Sequence, residues 1–220
     1  MNYYALMNDY NSSIIPKYLY ATIDIKKQVH ADWSWTSSLF SFPYYILDPE
    51  CPEQIFLLCE KNVGALRFEY YNYGMAHIAS NKFMEIIGKF KIATYTSKKL
   101  LATSIGTGDI LRDDLQYFYF QNVEQFIDMD GSILEKDRLG IAIPHKIKFT
   151  DSVKKYDVFA IQETLLGGCI FISESVVDAL SKAKIKGIKF VPVDQALDHY
   201  CADHRYDIKR NSIRKKPRLP

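Results

Sequence analysis

The stretch from Tyr156 to Asp194, YDVFAIQETLLGGCIFISESVVDALSKAKIKGIKFVPVD, constrains the fold more than any other part of the chain. Its apolar run Cys169 to Ile172 leads into Ser173. That short hydroxyl suits a helix N-cap, where it can accept from an orphan N–H of the first turn. Val176, Val177, Leu180 and Ala183 then recur at helical spacing, with Glu174, Asp178 and Lys182 opposite them. Gly187 follows, where a left-handed residue costs least. Ile188, Phe190 and Val191 read as a second strand, ended by Pro192, which has no N–H to give a ladder. The unit is strand, capped helix, strand.

A similar order occurs earlier. His77-Ile78-Ala79-Ser80-Asn81 enters a helix with Phe83, Ile86 and Ile87 on one side, Gly88 closes it, and Phe90 and Ile92 alternate with Lys89 and Lys91 in a strand. Ile78 to Phe83 aligns with Phe171 to Val176, so 77–96 and 169–193 are either two copies of one unit or two uses of a common arrangement. Tyr3 to Met7, Tyr18 to Ile25 and Ile55 to Cys59 also have strand character. Ala65 to Tyr71 alternates with Arg67 and Glu69 outward, and Asn62-Val63-Gly64 predicts a hairpin joining it to Ile55–Cys59. Tyr117 to Phe120, Ile141 to Ile143 and Ile147 to Phe149 add short strands, and Asp194 can cap a last helix carrying Leu197, Tyr200 and Cys201. The expected fold is one α+β domain over 1–204, a mixed, mainly antiparallel sheet with a few short helices.

At 220 residues one sizeable core is expected. The 16 Tyr, 13 Phe and 2 Trp are too many rings to be all central, so some are expected at the surface as anchors for a protein partner. Trp33 and Trp35 lie two apart in an irregular aromatic segment that also holds Tyr44 and Tyr45, and in extended chain such a pair faces one way. Tyr70, Tyr71 and Tyr73 form a second run of rings at a strand end. The competing reading is a β-rich core with ordinary tyrosine edges.

Charge is unevenly placed. From Arg205 on, seven basic residues face Asp207 alone, which leaves 21 basic and 25 acidic residues before it. The segment 205–220, with Pro217 and Pro220, therefore reads as a flexible basic tail on a mildly acidic body. A basic tail invites phosphate contacts, yet no nucleic-acid fold signature accompanies it, so a solvated tail or partner-docking arm is the better reading. The N-terminal MNYYALMNDY lacks the basic-then-apolar order of a secretory signal, and no window approaches the ~18 apolar residues of a membrane helix. Cys51, Cys59, Cys169 and Cys201 lack paired short spacing. A cytoplasmic chain with reduced thiols is expected.

No set of residues assembles into chemistry. Gly106-Thr107-Gly108-Asp109 lacks the third glycine and the lysine of a phosphate loop, and reads as a turn. Cys201 and His204 share a helical face with His199 nearby, but a metal needs three or four converging ligands. Cys169 leads into Ile170-Phe171-Ile172, the setting of a buried small hydrophobe rather than a thiolate. No cofactor and no catalytic residue is assigned. An alternative remains, a small metal- or nucleotide-dependent enzyme using Gly106 to Asp109 or His199 to His204.

Several of these pieces together resemble bacterial immunity proteins of polymorphic toxin systems. The shared pattern is Asn122-Val123, Phe126-Ile127-Asp128 and Ser132, then Asp157-Val158-Phe159, Phe171-Ile172-Ser173-Glu174, and Gly187-Ile188-Lys189-Phe190-Val191-Pro192-Val193. The resemblance implies a protein that binds a cognate toxin domain acting in the cytoplasm and blocks it by occluding its active site or substrate route, with no membrane and no cofactor. The acidic body would suit a basic toxin.

Overall fold

A computed structural model describes residues 2–29, 42–60, 66–121, 123–162 and 164–211. Among these, the strands are β1 (Tyr3–Asn8), β2 (Ala21–Asp24), β3 (Gln54–Cys59), β4 (Tyr70–Tyr73), β5 (Ala76–Ser80) and β6 (Tyr95–Ser104). They continue with β7 (Ile110–Phe120), β8 (Ile133–Lys136), β9 (Ala142–Lys146), β10 (Val158–Ala160), β11 (Ile170–Ser173) and β12 (Ile188–Pro192). The helices are α1 (Asn81–Ile87), α2 (Glu174–Lys182), α3 (Ala196–His204) and α4 (Ile208–Asn211). One sheet has the order β10-β11-β1-β12, a second β2-β3-β6-β7-β5-β4, and β8-β9 stand apart as a hairpin. The architecture is single-domain α+β with mixed and antiparallel pairing, as expected.

The Tyr156–Asp194 unit forms as its sequence dictates, but its two strands do not touch. β1 lies between β11 and β12, antiparallel to both, with Ala5 opposite Phe171 on one side and Val191 on the other. The earlier unit repeats this arrangement. β5 runs through α1 to β6, and β7 lies between them, antiparallel to both. An outer strand completes each set, β10 beside β11 and β4 beside β5. The return strand of the earlier unit starts at Tyr95 rather than Phe90, and Ile92 makes an isolated parallel bridge to Val158. The helices α1 and α2 pack against each other.

Ser80 and Ser173 occupy the two helix entries with the same backbone, φ −72° and ψ 158° against φ −71° and ψ 161°. Ser80 Oγ accepts from Phe83 N–H at 3.1 Å, an ordinary cap. Ser173 holds the cap position without a side-chain cap bond, and its hydroxyl instead donates to Asp157 Oδ1 at 2.9 Å, a charge-assisted bond. That bond ties the start of β10 to the start of α2. Gly187 is required twice over. It has φ +81°, and a Cβ there would lie 2.6 Å from Ile15 Cδ1.

The expected hairpin between Ile55–Cys59 and the strand at Tyr70 does not form. β3 pairs with β2 and, in parallel, with β6, whereas β4 turns through Gly74-Met75 into β5. Gly74 at φ +69° supplies the tight turn. The six-stranded sheet is covered on both faces. Tyr70, Ala79, Phe118 and Phe120 face the core shared with α1, α2 and the other sheet. Tyr71, Ile78, Tyr117 and Tyr119 face a second core with Ile23, Ile55 and Phe68. Two buried faces absorb far more rings than a one-sided sheet would.

The basic segment does not begin as a tail. Arg205 closes α3 in the left-handed region, and Tyr206 OH donates to Asp137 Oδ2 at 2.9 Å. The carbonyl of Asn211, at the end of α4, accepts from Arg138 N–H at 2.9 Å. Residues 205–211 therefore belong to the folded body, and 212–220 lie outside the described residues.

Candidate partner-binding surface

The end of β1 meets β4 at a polar seam between the sheets. Asn8, 3% exposed, accepts from Asn72 N–H at 2.9 Å and donates to Tyr10 OH at 3.1 Å. The Asn72 amide in turn donates to the Gly168 carbonyl. The bonded pair of amides fixes this seam, because leaving the buried Asn8 unpaired would carry its full desolvation cost.

A groove of about 480 Å³ opens over the seam. Its rings are Tyr10, Tyr18, Tyr71, Tyr73, Tyr200 and His204, with Lys17 at its margin. They arrive from the loop after β1, from β4 and from α3, so a groove of this kind exists only once the two sheets have docked. Tyr73 OH donates to the Ala21 carbonyl at 3.0 Å, and Tyr200 lies over His204 with centroids 4.3 Å apart. Tyr18 is 65% exposed and stands 6.5 Å from Tyr20, 58% exposed.

The groove is chemically quiet. Burial pushes the phenols of Tyr10, Tyr71 and Tyr73 above their usual range and Tyr200 up to about 12, so all four are neutral hydroxyls near pH 7. Burial also lowers His204, with Lys189 and Lys17 adding to the effect and Asp203 opposing it. Cys169, buried beside the seam, is pushed up to about 12 by burial and then by Asp203, with Lys189 opposing, so its thiol stays protonated. Among the described residues no three His, Cys, Asp or Glu side chains converge as metal ligands. Gly106 to Asp109 forms the β6–β7 turn, closed by Ser104 N–H to the Asp109 carbonyl at 2.9 Å, and a strand follows rather than a helix. What this surface presents is aromatic area and neutral hydroxyls.

The rings singled out in the sequence divide. Tyr73 and Tyr71 line the groove, although Tyr71 is only 5% exposed. Tyr70 is fully buried on the opposite face of the same strand, its OH 2.9 Å from His77 Nδ1, so it is a core residue and not a surface anchor. Tyr44 is 57% exposed and meets Tyr119 edge-on at 5.8 Å. Tyr45 packs on Phe42, which packs on Tyr117, and Tyr117 touches Tyr73. The structure thus links Tyr44, Tyr45 and Tyr73 through the ring-bearing face of β7. Trp33 and Trp35 lie outside the described residues. Tyr10, Tyr18, Tyr200 and His204 were not anticipated. Tyr18 and Tyr20, two apart in a non-helical segment, carry the same signal as the tryptophan pair.

A sequence model of the family described as Immunity protein 43 matches residues 7–208. The chain belongs to that family. The match spans the seam, the groove and the β8–β9 hairpin, and it agrees with the class suggested by the Asp157-Val158-Phe159 and Gly187-to-Val193 segments. No curated protein matches the chain. Membership of an immunity family implies a partner toxin protein. No helix among the described residues is long and apolar enough to cross a membrane.

Proposed function

We propose that this immunity protein neutralises a cognate toxin domain in the cytoplasm by seating part of it in the tyrosine groove, which occludes the toxin's active site or substrate route. The observation that carries this reading is the groove itself: neutral phenols on a floor fixed by the Asn8–Asn72–Gly168 bonds, in a member of an immunity family. Tyrosines are large, stiff and able to hydrogen-bond, so they give contact area at low entropic cost. Tyr44, Tyr45 and Tyr73 extend the same face, and Trp33 and Trp35 are proposed as further anchors. Inhibition by binding requires no chemistry from this chain. The free thiols of Cys51, Cys59, Cys169 and Cys201 suit a reducing compartment.

The test is binding to the toxin domain encoded beside this chain, together with protection of cells expressing that domain. Tyr18→Ala combined with Tyr20→Ala removes two exposed rings and should weaken binding roughly 10- to 100-fold without moving the melting temperature. Unchanged affinity in that variant would remove the groove margin from the interface. Failure of the wild-type chain to bind or protect would remove the proposed function.

A further inference from the structure

The β8–β9 hairpin ends in a tip whose construction the groove does not explain. Leu139 stands there 84% exposed, the most exposed large apolar side chain among the described residues, with Ile141 beside it at 40%. Yet the backbone beneath it is tightly fixed. Asp137 is only 3% exposed, and its Oδ1 accepts from both Leu139 N–H and Ile141 N–H at 2.8 Å. Its Oδ2 accepts from Tyr206 OH at 2.9 Å, Gly140 turns the chain at φ +83°, and Arg138 N–H bonds the Asn211 carbonyl. These bonds set the backbone of the turn while leaving the leucine bare. Preorganisation of that kind removes the ordering cost of binding, and an exposed apolar side chain gains only when a partner covers it.

The surroundings specify the partner's charge. Lys136, Arg138 and Arg210 flank the tip, all exposed, and make no ion pair among the described residues. The tip is tied to the end of the helix that walls the groove. Tyr200 and His204 form a groove wall, Arg205 ends that helix, and Tyr206 reaches Asp137.

We infer that the Leu139 tip is a wedge that enters an acid-rimmed apolar cleft of the same toxin domain while the tyrosine groove holds a neighbouring part of it; this rests on the proposed function. Although the body is acidic in total, exposed Lys136, Arg138, Arg205 and Arg210 outnumber Asp207 and the His145-paired Glu135 around the tip, so the partner surface it complements is acidic rather than basic. Asp137 and Tyr206 are positioning residues, fixing the leucine without touching the partner.

The experiment measures affinity and association rate for the toxin domain encoded beside this chain at two salt concentrations, using full-length variants. Leu139→Ala should weaken binding roughly 10- to 100-fold, the share expected when a leucine is left unburied. Leu139→Glu should weaken it further, and both should melt with wild type. Lys136→Glu with Arg138→Glu should slow association and flatten its salt dependence. Tyr206→Phe should give an intermediate loss of affinity. Leu111→Glu, at an exposed leucine of β7, is the control and should bind normally. Wild-type affinity in Leu139→Glu, or an equal loss in Leu111→Glu, overturns the wedge. A tip that binds duplex DNA or RNA in competition with the toxin overturns it as well. If the wild-type chain fails to bind the toxin at all, the proposed function falls first; if wild type binds and the Leu139 variants bind equally, only the wedge falls.

Discussion

Replacing the His77–Tyr70 pair by apolar residues should change the acid stability of this protein while leaving its neutral stability nearly intact. His77 is completely buried in β5, its Nδ1 2.9 Å from Tyr70 OH, and enclosed by Tyr70, Phe118 and Phe120 with centroids 5.8, 5.0 and 5.9 Å away. Nε2 has no hydrogen-bond partner among the described residues. A second proton on this ring would place a charge among aromatic faces, so burial depresses its pKa from 6.5 to about 3. The folded pKa is lowered, so the stability is fully present above about pH 6.5 and is lost as pH falls from there towards 3, because only the unfolded chain takes up the proton. At pH 5 the loss is about 2 kcal/mol, from one and a half pH units at about 1.4 kcal/mol each. For a chain of this size that is a drop in Tm of about 4–8 °C. In His77→Leu with Tyr70→Phe, both polar partners leave together, which keeps the cost at pH 7.5 small. Thermal melts at pH 7.5, 6, 5 and 4.5 should show the wild-type curve falling away from the double variant below pH 6.5. His204, also lowered by burial, acts in the same direction in both chains and cancels in the difference. Parallel pH profiles, or a His77 ring resonance that titrates in the folded protein above pH 5, would refute the reasoning.

Two further outcomes follow from the backbone. Gly168→Ala should destabilise the protein by about 1–3 kcal/mol and weaken toxin binding, since its Cβ would overlap the Gly74 carbonyl oxygen beneath the groove; a melt and a binding titration read the two effects. Ser80→Ala should lower stability by about 1 kcal/mol through loss of the cap on Phe83 N–H, whereas the effect of Ser173→Ala should disappear in a chain already carrying Asp157→Ala, which a double-mutant cycle measures.

Local structure was the legible part of this sequence. Periodicity and punctuation located β1, β3, β11, α2 and β12, because each is decided by side chains within a few residues of one another. Pairing was not legible. Nothing near Ala5 announces that β1 will divide β11 from β12, some 170 residues along the chain, nor that β3 will run parallel to β6. The polar first half of β7, Ile-Leu-Arg-Asp-Asp, hid a strand because its charges serve a neighbour. Arg112 donates to Asp114 at 2.7 Å and to the Leu66 carbonyl at 2.9 Å, anchoring the approach to β4. Ring counting failed at Tyr70 for a related reason. Alternation puts Tyr70 and Tyr71 on opposite faces, and the inference that one of them is exposed assumes a sheet with one wet face. The groove was least legible, since its rings come from segments that meet only after the sheets dock.

The motif residues that suggested the family are bound up in scaffolding. Asp128 accepts from Gly131 N–H at 2.9 Å and from Lys148 Nζ at 2.7 Å, and Ser132 Oγ accepts from Lys148 N–H at 2.9 Å. Asp157 holds Ser173, Gly187 makes room for Ile15, and Pro192 ends β12. None of Tyr10, Tyr18, Tyr73, Tyr200 or Leu139 belongs to those segments. A side chain that is mostly exposed, such as Tyr18 or Leu139, contributes little to the core, so replacing it costs little stability. Tyr18 and Leu139 therefore stand apart from the residues that hold the sheets together, whereas Tyr10, Tyr71 and Tyr73 line the groove and are also bonded or packed within the fold. Under the proposed function, substitution at such exposed positions changes the partner recognised while the bonds that define the fold stay in place.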